Sequence, residues 1–325
     1  MSNIFIIGAG QLGSRHLQGV LKYRNENLNV FVSDPSLEAL KTAGKRASEV
    51  EHNHLLFFVS KISELPSEAD VAIVSTNSNV REMVIGELLG NTKVKYLLLE
   101  KVLFQEMAAY SRVAMLLKKK NVICYVNHPR RMTPVYNEIC KTIKDIGGRS
   151  YFSVVGESWD LGCNALHMLD LFVFFGNSPL KSINTDGIDS NILESKRRGY
   201  VEFTGSFTGL LENNDAFAIN SFPGKRGELT ISAATNGYRW LIQEGGTKTV
   251  IKLAAEDSYA VKNSVFFQDY QSNLTTNIIE SFLIRGVCHL PDYSTASHTH
   301  ELFIESLLEK YNTITNLKEL KCPIT

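Results

Sequence analysis

The chain has 325 residues, enough for about two domains with a sizeable core. Its 34 Lys and Arg balance 34 Asp and Glu, so composition offers no general pull toward nucleic acid or an anionic membrane surface. No apolar run approaches the roughly 20 residues needed to span a bilayer and the start MSNIFIIGAG carries no basic leader, so the expectation is a soluble cytoplasmic protein with neither nucleic-acid nor membrane partners.

The apolar run Ile4-Phe5-Ile6-Ile7 predicts a first strand, and Gly8-Ala9-Gly10-Gln11-Leu12-Gly13 follows it into a helix over 12–23. This order of strand, glycines and helix is a dinucleotide-phosphate cradle. Gly8 serves the tight turn, Gly10 the close approach of backbone to a pyrophosphate, and Gly13 the packing of helix on strand. A second strand over 29–33 ends at Asp34, 21 residues beyond Gly13, where a carboxylate meets the adenosine ribose hydroxyls. An acid there, with no adjacent Arg, favours NAD over NADP. The competing reading is an Asp that only caps the helix expected over 36–47.

Further strands are expected over 56–59, 71–74, 96–99 and 122–126, with a helix over 105–119 before the last. Strands alternating with helices predict a doubly wound parallel sheet, closing a first domain at residues 1–125. Ser75-Thr76-Asn77 follows the strand 71–74, where a polar turn passes beneath a nicotinamide ribose. Glu100-Lys101 stands at the carboxyl end of the strand 96–99, the end at which open parallel sheets bind ligands. A Lys there can hydrogen-bond a substrate hydroxyl or carbonyl and stabilise alkoxide charge, while the carboxylate holds it or lines the nicotinamide pocket. Asn127 and the cations Arg130 and Arg131 follow the next strand and can meet a polar or phosphorylated substrate, with a structural role for the two arginines as the equal alternative.

A second domain is expected over 126–325. It begins with a helix over 134–146, a strand over 150–156 and a helix over 164–175. Residues 181–270 offer successive strands with turns at Asn213-Asn214-Asp215, Pro223-Gly224 and Glu244-Gly245-Gly246, which predicts an open, mainly antiparallel sheet in an α+β domain, able to form a homo-oligomer. Helical patterns return over 273–285 and 298–311. His167 and Asp170 lie three apart, on one face of a helix, with Asn164 one turn earlier. The bland alternative is a helix capped by Asn164 with a core His. The five cysteines are widely spaced and the pairs His52/His54 and His298/His300 lack a third ligand, so no metal is expected.

In order along nearly the whole chain, these segments resemble the glucose-fructose oxidoreductase and inositol dehydrogenase family, Gfo/Idh/MocA. The glycine loop with trailing Arg15-His16, the segment Ser75 to Arg81, Glu100-Lys101, Asn127 to Pro134 and His167 to Leu171 each match a family motif. The resemblance implies an NAD or NADP domain followed by a substrate domain, and hydride transfer between a carbinol carbon of a sugar, polyol or nucleotide sugar and nicotinamide C4. It implies that Lys101 contacts the reacting hydroxyl, that His167 is the acid/base partner or substrate orienter, and that Asp170 supports the imidazole or binds substrate. Departures mark a divergent member: Cys163 stands where the family has Asp four residues before the His, with Asp160 seven before as a distant substitute. Val102 replaces Pro, Asn77 replaces Pro and Arg81 replaces His. A sugar, polyol or nucleotide sugar is the expected substrate, a nucleotide sugar in surface-polysaccharide synthesis being one form of it. A sugar- or nucleotide-sensing protein without hydride transfer, and an enzyme that retains NAD for net epimerisation or elimination, are the alternatives.

Overall fold

The structure, a computed structural model, describes residues 1–244, 248–254, 260–267 and 269–325, so the expected turn at Gly245-Gly246 lies outside the described residues. Two units emerge. The first comprises Met1–Phe104, Ala108–Pro129 and Asp269–Ala296, and the second Gln105–Met107, Arg130–Gln268 and Ser297–Thr325. The first unit thus takes in 269–296, late in the chain, as well as its amino-terminal part.

The first unit is built from β1 (Ser2–Ile7), α1 (Gln11–Leu21), β2 (Leu28–Ser33), α2 (Leu37–Ala47), β3 (Leu55–Val59), β4 (Glu68–Val74), α3 (Ser78–Asn91), β5 (Lys93–Leu99), α4 (Met107–Lys120) and β6 (Ile123–Val126). Its sheet has the order β3-β2-β1-β4-β5-β6 with every pairing parallel. The central runs Ile4-Phe5-Ile6, Val71 to Val74 and Leu97 to Leu99 are fully buried, as strands covered on both faces must be. Order reverses between β2-β1 and β4-β5, so the carboxyl ends of β1 and β4 form the crevice in which such sheets take ligands.

The second unit carries α5 (Pro134–Ile146), β7 (Ser150–Glu157), α6 (Leu161–Gly176), β8 (Leu180–Asn184), β9 (Leu193–Glu194), β10 (Val201–Glu202), β11 (Gly205–Leu211), β12 (Ala216–Phe222), β13 (Leu229–Thr235), β14 (Tyr238–Glu244), β15 (Lys248–Ala254) and β16 (Ala260–Phe266). Eight of these strands form one sheet in the order β16-β15-β14-β13-β7-β12-β11-β8, antiparallel except between β7 and β12. Alternation along β7 buries Phe152 and Val154 and exposes Tyr151 and Val155. The buried face receives α6 through an aromatic layer, with Phe152 stacked on Phe172 at 5.6 Å and Tyr136 edge-on to Phe175 at 5.9 Å. The other face stays open.

Two helices complete the chain. In the first unit, α7 (Gln271–Glu280) runs into a π-turn over Ser281–Arg285, which is the helix expected over 273–285. The last helix, α8 (Tyr293–Thr315), is longer at both ends than expected. Gly19 lets α7 lie directly on α1: a Cβ at Gly19 would stand 2.5 Å from the Ser272 carbonyl oxygen. No helix among the described residues is long and apolar enough to cross a membrane.

Candidate active site

The glycine loop is shaped by contacts that exclude larger residues. Gly8 has φ +95°, a region that side chains disfavour, and its N–H donates to the Ser33 carbonyl at 2.8 Å. At Gly13 a Cβ would stand 1.8 Å from the Gly8 carbonyl oxygen and 2.6 Å from Ser75 Oγ. Around Gly10, by contrast, a Cβ would meet nothing within 4 Å. That open space lies at the start of α1, whose N-cap is Gly10 itself with no side-chain cap, so the helix presents N–H groups and the positive end of its dipole. Gln11 is braced by Arg46 of α2, which donates to its carbonyl at 3.1 Å and to its Oε1 at 2.6 Å.

Asp34 ends just beyond β2, and its two oxygens are both in use. Oδ2 accepts from Ala9 N at 2.7 Å inside the glycine loop, and Oδ1 accepts from Ser36 N at 2.8 Å. The cap of α2 is Ser36, whose hydroxyl accepts from Ala39 N, so Asp34 is not that helix's cap. A carboxylate retains further lone pairs after these two bonds. Ser75 Oγ donates to the Gly8 carbonyl at 2.8 Å, tying the loop after β4 to the glycine loop, and the buried Thr76 Oγ1 has no hydrogen-bond partner among the described residues. Open space at Gly10, an uncapped α1 and an orphaned Thr76 hydroxyl fit a dinucleotide.

Glu100 lies deeper than its expected place along the nicotinamide pocket. It is buried in a closed polar ring: His16 Nε2 reaches its Oε1 at 2.8 Å, and Asn127 Nδ2 donates to the same oxygen. Asn127 also donates to Gln271 Oε1 at 3.0 Å, Gln271 Nε2 donates to Thr275 Oγ1 at 3.1 Å, and Thr275 Oγ1 shares a hydrogen with His16 Nδ1 at 2.8 Å. Burial would push the Glu100 carboxyl up, but the hydrogen bond and charge of His16, with Asn127 and the nearby Arg81 guanidinium, outweigh it and hold the group below the ordinary carboxylate range. Asn127 is therefore part of the scaffold, 2 % exposed, and its expected substrate contact is replaced by an internal one. Lys101, next in the chain, is part-exposed at the carboxyl end of β5. Arg81, where the family has His, is buried and donates to the carbonyls of Val102, Leu103 and Thr76, clamping the turn after Lys101 to the turn after β4.

In the second unit the expected anion-gripping arginines have internal partners. Arg130 donates through Nε to Glu244 Oε1 at 3.0 Å, and Tyr136 OH donates to the same oxygen. Burial acts to raise the Glu244 carboxyl, and Arg130, with the Tyr136 hydrogen bond and the Lys248 charge, more than reverses it, leaving the group below its usual range. Arg131 forks onto Asp170 with Nε–Oδ2 at 2.9 Å and NH2–Oδ1 at 2.7 Å, and lies over the Phe174 ring at 5.3 Å. Asp170 is 2 % exposed; burial pushes its carboxyl above the ordinary range and Arg131 pulls it back only in part. Its carboxylate accepts the Arg131 fork.

What α6 offers is a stripe. Asp160, its N-cap, then Cys163, Asn164 and His167 are part-exposed, while Leu161, Gly162, Ala165 and Leu166 between them, and Met168 and Leu169 after them, are buried. The spacing i, i+3, i+4, i+7 places these four on one face. Asn164 Nδ2 donates to the Trp159 carbonyl at 2.7 Å, steadying the first turn. Asp160 pairs with Lys196 Nζ at 3.3 Å and Arg226 NH1 at 2.7 Å, so it does not stand in beside His167 for the family's missing Asp. His54 accepts from Leu28 N at Nδ1 and meets the Tyr23 carbonyl at Nε2, and no cluster able to hold a metal ion occurs among the described residues.

Residues 2–128 match the family model GFO_IDH_MocA, described as an oxidoreductase family with an NAD-binding Rossmann fold. The match covers the first unit's sheet, and over these residues the chain is similar to the NAD-binding domain of that family. No curated protein matches the sequence. Among solved structures, the chain is similar to the UDP-N-acetylglucosamine 3-dehydrogenase GnnA of Acidithiobacillus ferrooxidans, with TM-score 0.68 and 12 % identity over 94 % of this chain and 96 % of that one. It is also similar to an Agrobacterium radiobacter oxidoreductase in complex with NAD+, L-tartaric acid and magnesium (TM-score 0.73, 12 % identity, 97 % and 96 % covered). A super-repressor mutant of Gal80p from Saccharomyces cerevisiae matches with TM-score 0.75 at 13 % identity, again over 97 % and 96 %. At such identities these likenesses establish a shared fold, which enzymes and a regulator both use.

Sequence reading missed Arg46, Gln271 and Thr275. Gln271 and Thr275 reach the site only because 269–296 returns to the first unit. The isolated Gly19 inside α1 was a usable signal, because a helical glycine marks a close approach. Replacing Asp34 by Ser is expected to raise affinity for NADPH relative to NADH by about tenfold, since the carboxylate that repels a 2'-phosphate is gone. Titration of nucleotide fluorescence with both cofactors checks this, and an unchanged ratio would show that Asp34 does not meet the ribose.

Proposed function

We propose that this protein is a cytoplasmic NAD-dependent oxidoreductase that transfers hydride between a carbinol carbon of a sugar, polyol or nucleotide sugar and nicotinamide, NAD being preferred to NADP. The observation that carries the reading is Lys101 at the carboxyl end of β5, in the same unit as the uncapped α1 and the open space at Gly10. Bound NAD supplies the hydride acceptor. Lys101 donates a hydrogen bond to the reacting oxygen and stabilises the alkoxide charge that grows as hydride leaves. His167 takes the hydroxyl proton or orients the sugar, because imidazole titrates near neutral pH. Asp170 holds Arg131 against α6.

Similarity to a UDP-N-acetylglucosamine 3-dehydrogenase supports a nucleotide sugar as substrate, with surface-polysaccharide synthesis as the proposed setting, and the open face of the second unit's sheet supports a homo-oligomer. A panel of nucleotide sugars, polyols and aldoses, followed by the absorbance of reduced nicotinamide, tests the reading; turnover of none with either cofactor overturns it. The Gal80p likeness, Cys163 in place of the family Asp and the commitment of Asp170 to Arg131 favour one second reading, a sensor that binds nucleotide or sugar without redox change. Should NAD copurify with the protein, an enzyme that oxidises and then reduces within one cycle, giving net epimerisation or elimination, is the form of the first reading to pursue.

A further inference from the structure

With Arg130 and Arg131 committed to Glu244 and Asp170, an anionic substrate needs other cations. Two loops of the second unit supply them. Lys196-Arg197-Arg198 follows β9, and Lys225-Arg226 lies in the connection after β12; all five are exposed. The loops meet at Asp160, where Lys196 Nζ and Arg226 NH1 share the single oxygen Oδ2 at 3.3 and 2.7 Å. One carboxylate oxygen thus faces two cations, and Arg197, Arg198 and Lys225 are their chain neighbours. Acids are present too. Glu194 and Glu228 flank the segments, and Glu157 packs under Gly224, where a Cβ would stand 2.8 Å from its Oε2. The α6 start is already answered by Glu202 Oε2, which accepts from Cys163 N at 3.2 Å, so the loop cations and not the helix end form the feature.

Position gives these cations meaning. Asp160 is the first member of the part-exposed stripe Asp160, Cys163, Asn164, His167, and the seven residues between its ends correspond to about 10 Å along the helix. That is about the separation between a cation gripping a diphosphate and an imidazole touching the sugar it carries, once a contact distance of about 3 Å is added at each end. Exposed pairs such as Lys196–Asp160, with side chains 73 % and 25 % exposed, contribute little on their own, so an incoming phosphate can recruit these cations at small cost. Arginine forks match phosphate oxygens in pairs.

We propose that Lys196, Arg197, Arg198, Lys225 and Arg226 form the diphosphate subsite of a nucleotide-sugar substrate, anchoring it at the base of the α6 stripe with the sugar running toward His167. The proposal rests on the oxidoreductase reading. Its test is isothermal titration of the whole protein with UDP, in the presence of saturating NADH so that the cofactor cradle is filled, on wild type and on the double variants Arg197→Glu/Arg198→Glu and Lys196→Glu/Arg226→Glu. Expected are a fall in UDP affinity of at least about tenfold in each variant, with a shallower dependence on salt and unchanged NADH affinity. The unchanged NADH affinity also certifies the fold of these surface variants. UDP affinity equal in wild type and variants, no UDP binding by wild type, or binding of a single-stranded oligonucleotide more tightly than UDP would each overturn the subsite while leaving the oxidoreductase reading intact. Absence of NADH binding by wild type would instead remove the reading beneath it, and the subsite with it.

Discussion

Lys101→Ala is expected to lower kcat by about 100- to 10,000-fold while leaving the NADH dissociation constant within about twofold of wild type. The split follows from how the residue is held. On its amino side Glu100 is fixed in the ring with His16 and Asn127, and on its carboxyl side the carbonyls of Val102 and Leu103 are clamped by Arg81. Truncation at Lys101 disturbs neither anchor, so the backbone keeps its course and only the ammonium is lost. Gly8, Gly10, Gly13 and Asp34 are untouched, and so is cofactor affinity. Lys101→Arg is expected to restore part of the rate, because a cation returns with a different donor geometry. A Lys101→Ala enzyme within about tenfold of wild type would show that the reacting oxygen is stabilised elsewhere. The measurement is steady-state turnover beside a fluorescence titration of NADH, so that binding and chemistry are read separately.

The dinucleotide domain was legible because its requirements are local. Gly13 must lack a Cβ where the Gly8 carbonyl lies 1.8 Å from its place, and Asp34 must end a strand beside the loop, and both demands act within about thirty consecutive residues. Strands buried on both faces also announce themselves as unbroken apolar runs. What escaped is what distance in the chain conceals. A paired arginine and a free one look alike in sequence, so Arg130 and Arg131 read equally as anion grips or as structural cations, and their partners Glu244 and Asp170 lie 114 and 39 residues further on. Asn127 looked like a substrate donor because Gln271, its partner 144 residues later, belongs to a segment with no motif of its own. The stripe on α6 was half visible: the spacing of His167 and Asp170 placed them on the helix, but only packing against the sheet decides that Asp170 turns inward while Cys163, Asn164 and His167 stay part-exposed.

Glu100→Ala is expected to be the most destabilising single change in the first unit, by about 3 to 5 kcal/mol at neutral pH, because it strands two buried polar partners at once. His16 would lose the acceptor at 2.8 Å, Asn127 would lose the carboxylate to which it donates, and the ring that joins α1, β5, β6 and α7 would open. Since His16 sits on the helix that begins at Gly10, NADH affinity is expected to fall with stability. The dependence on pH gives the change its signature. The folded carboxyl of Glu100 is held below the unfolded value of about 4.3, so its contribution is complete above that pH and is lost as pH falls through the folded value. Wild type should therefore exceed Glu100→Ala by the full margin at pH 7, and the margin should shrink once the pH drops below about 4. Taking the difference between the two proteins cancels the other carboxylates that titrate there. Urea unfolding across this pH series reads the margin directly, and a difference that stays constant with pH would mean that Glu100 stabilises the fold by packing, with its charge pairing to His16 contributing nothing.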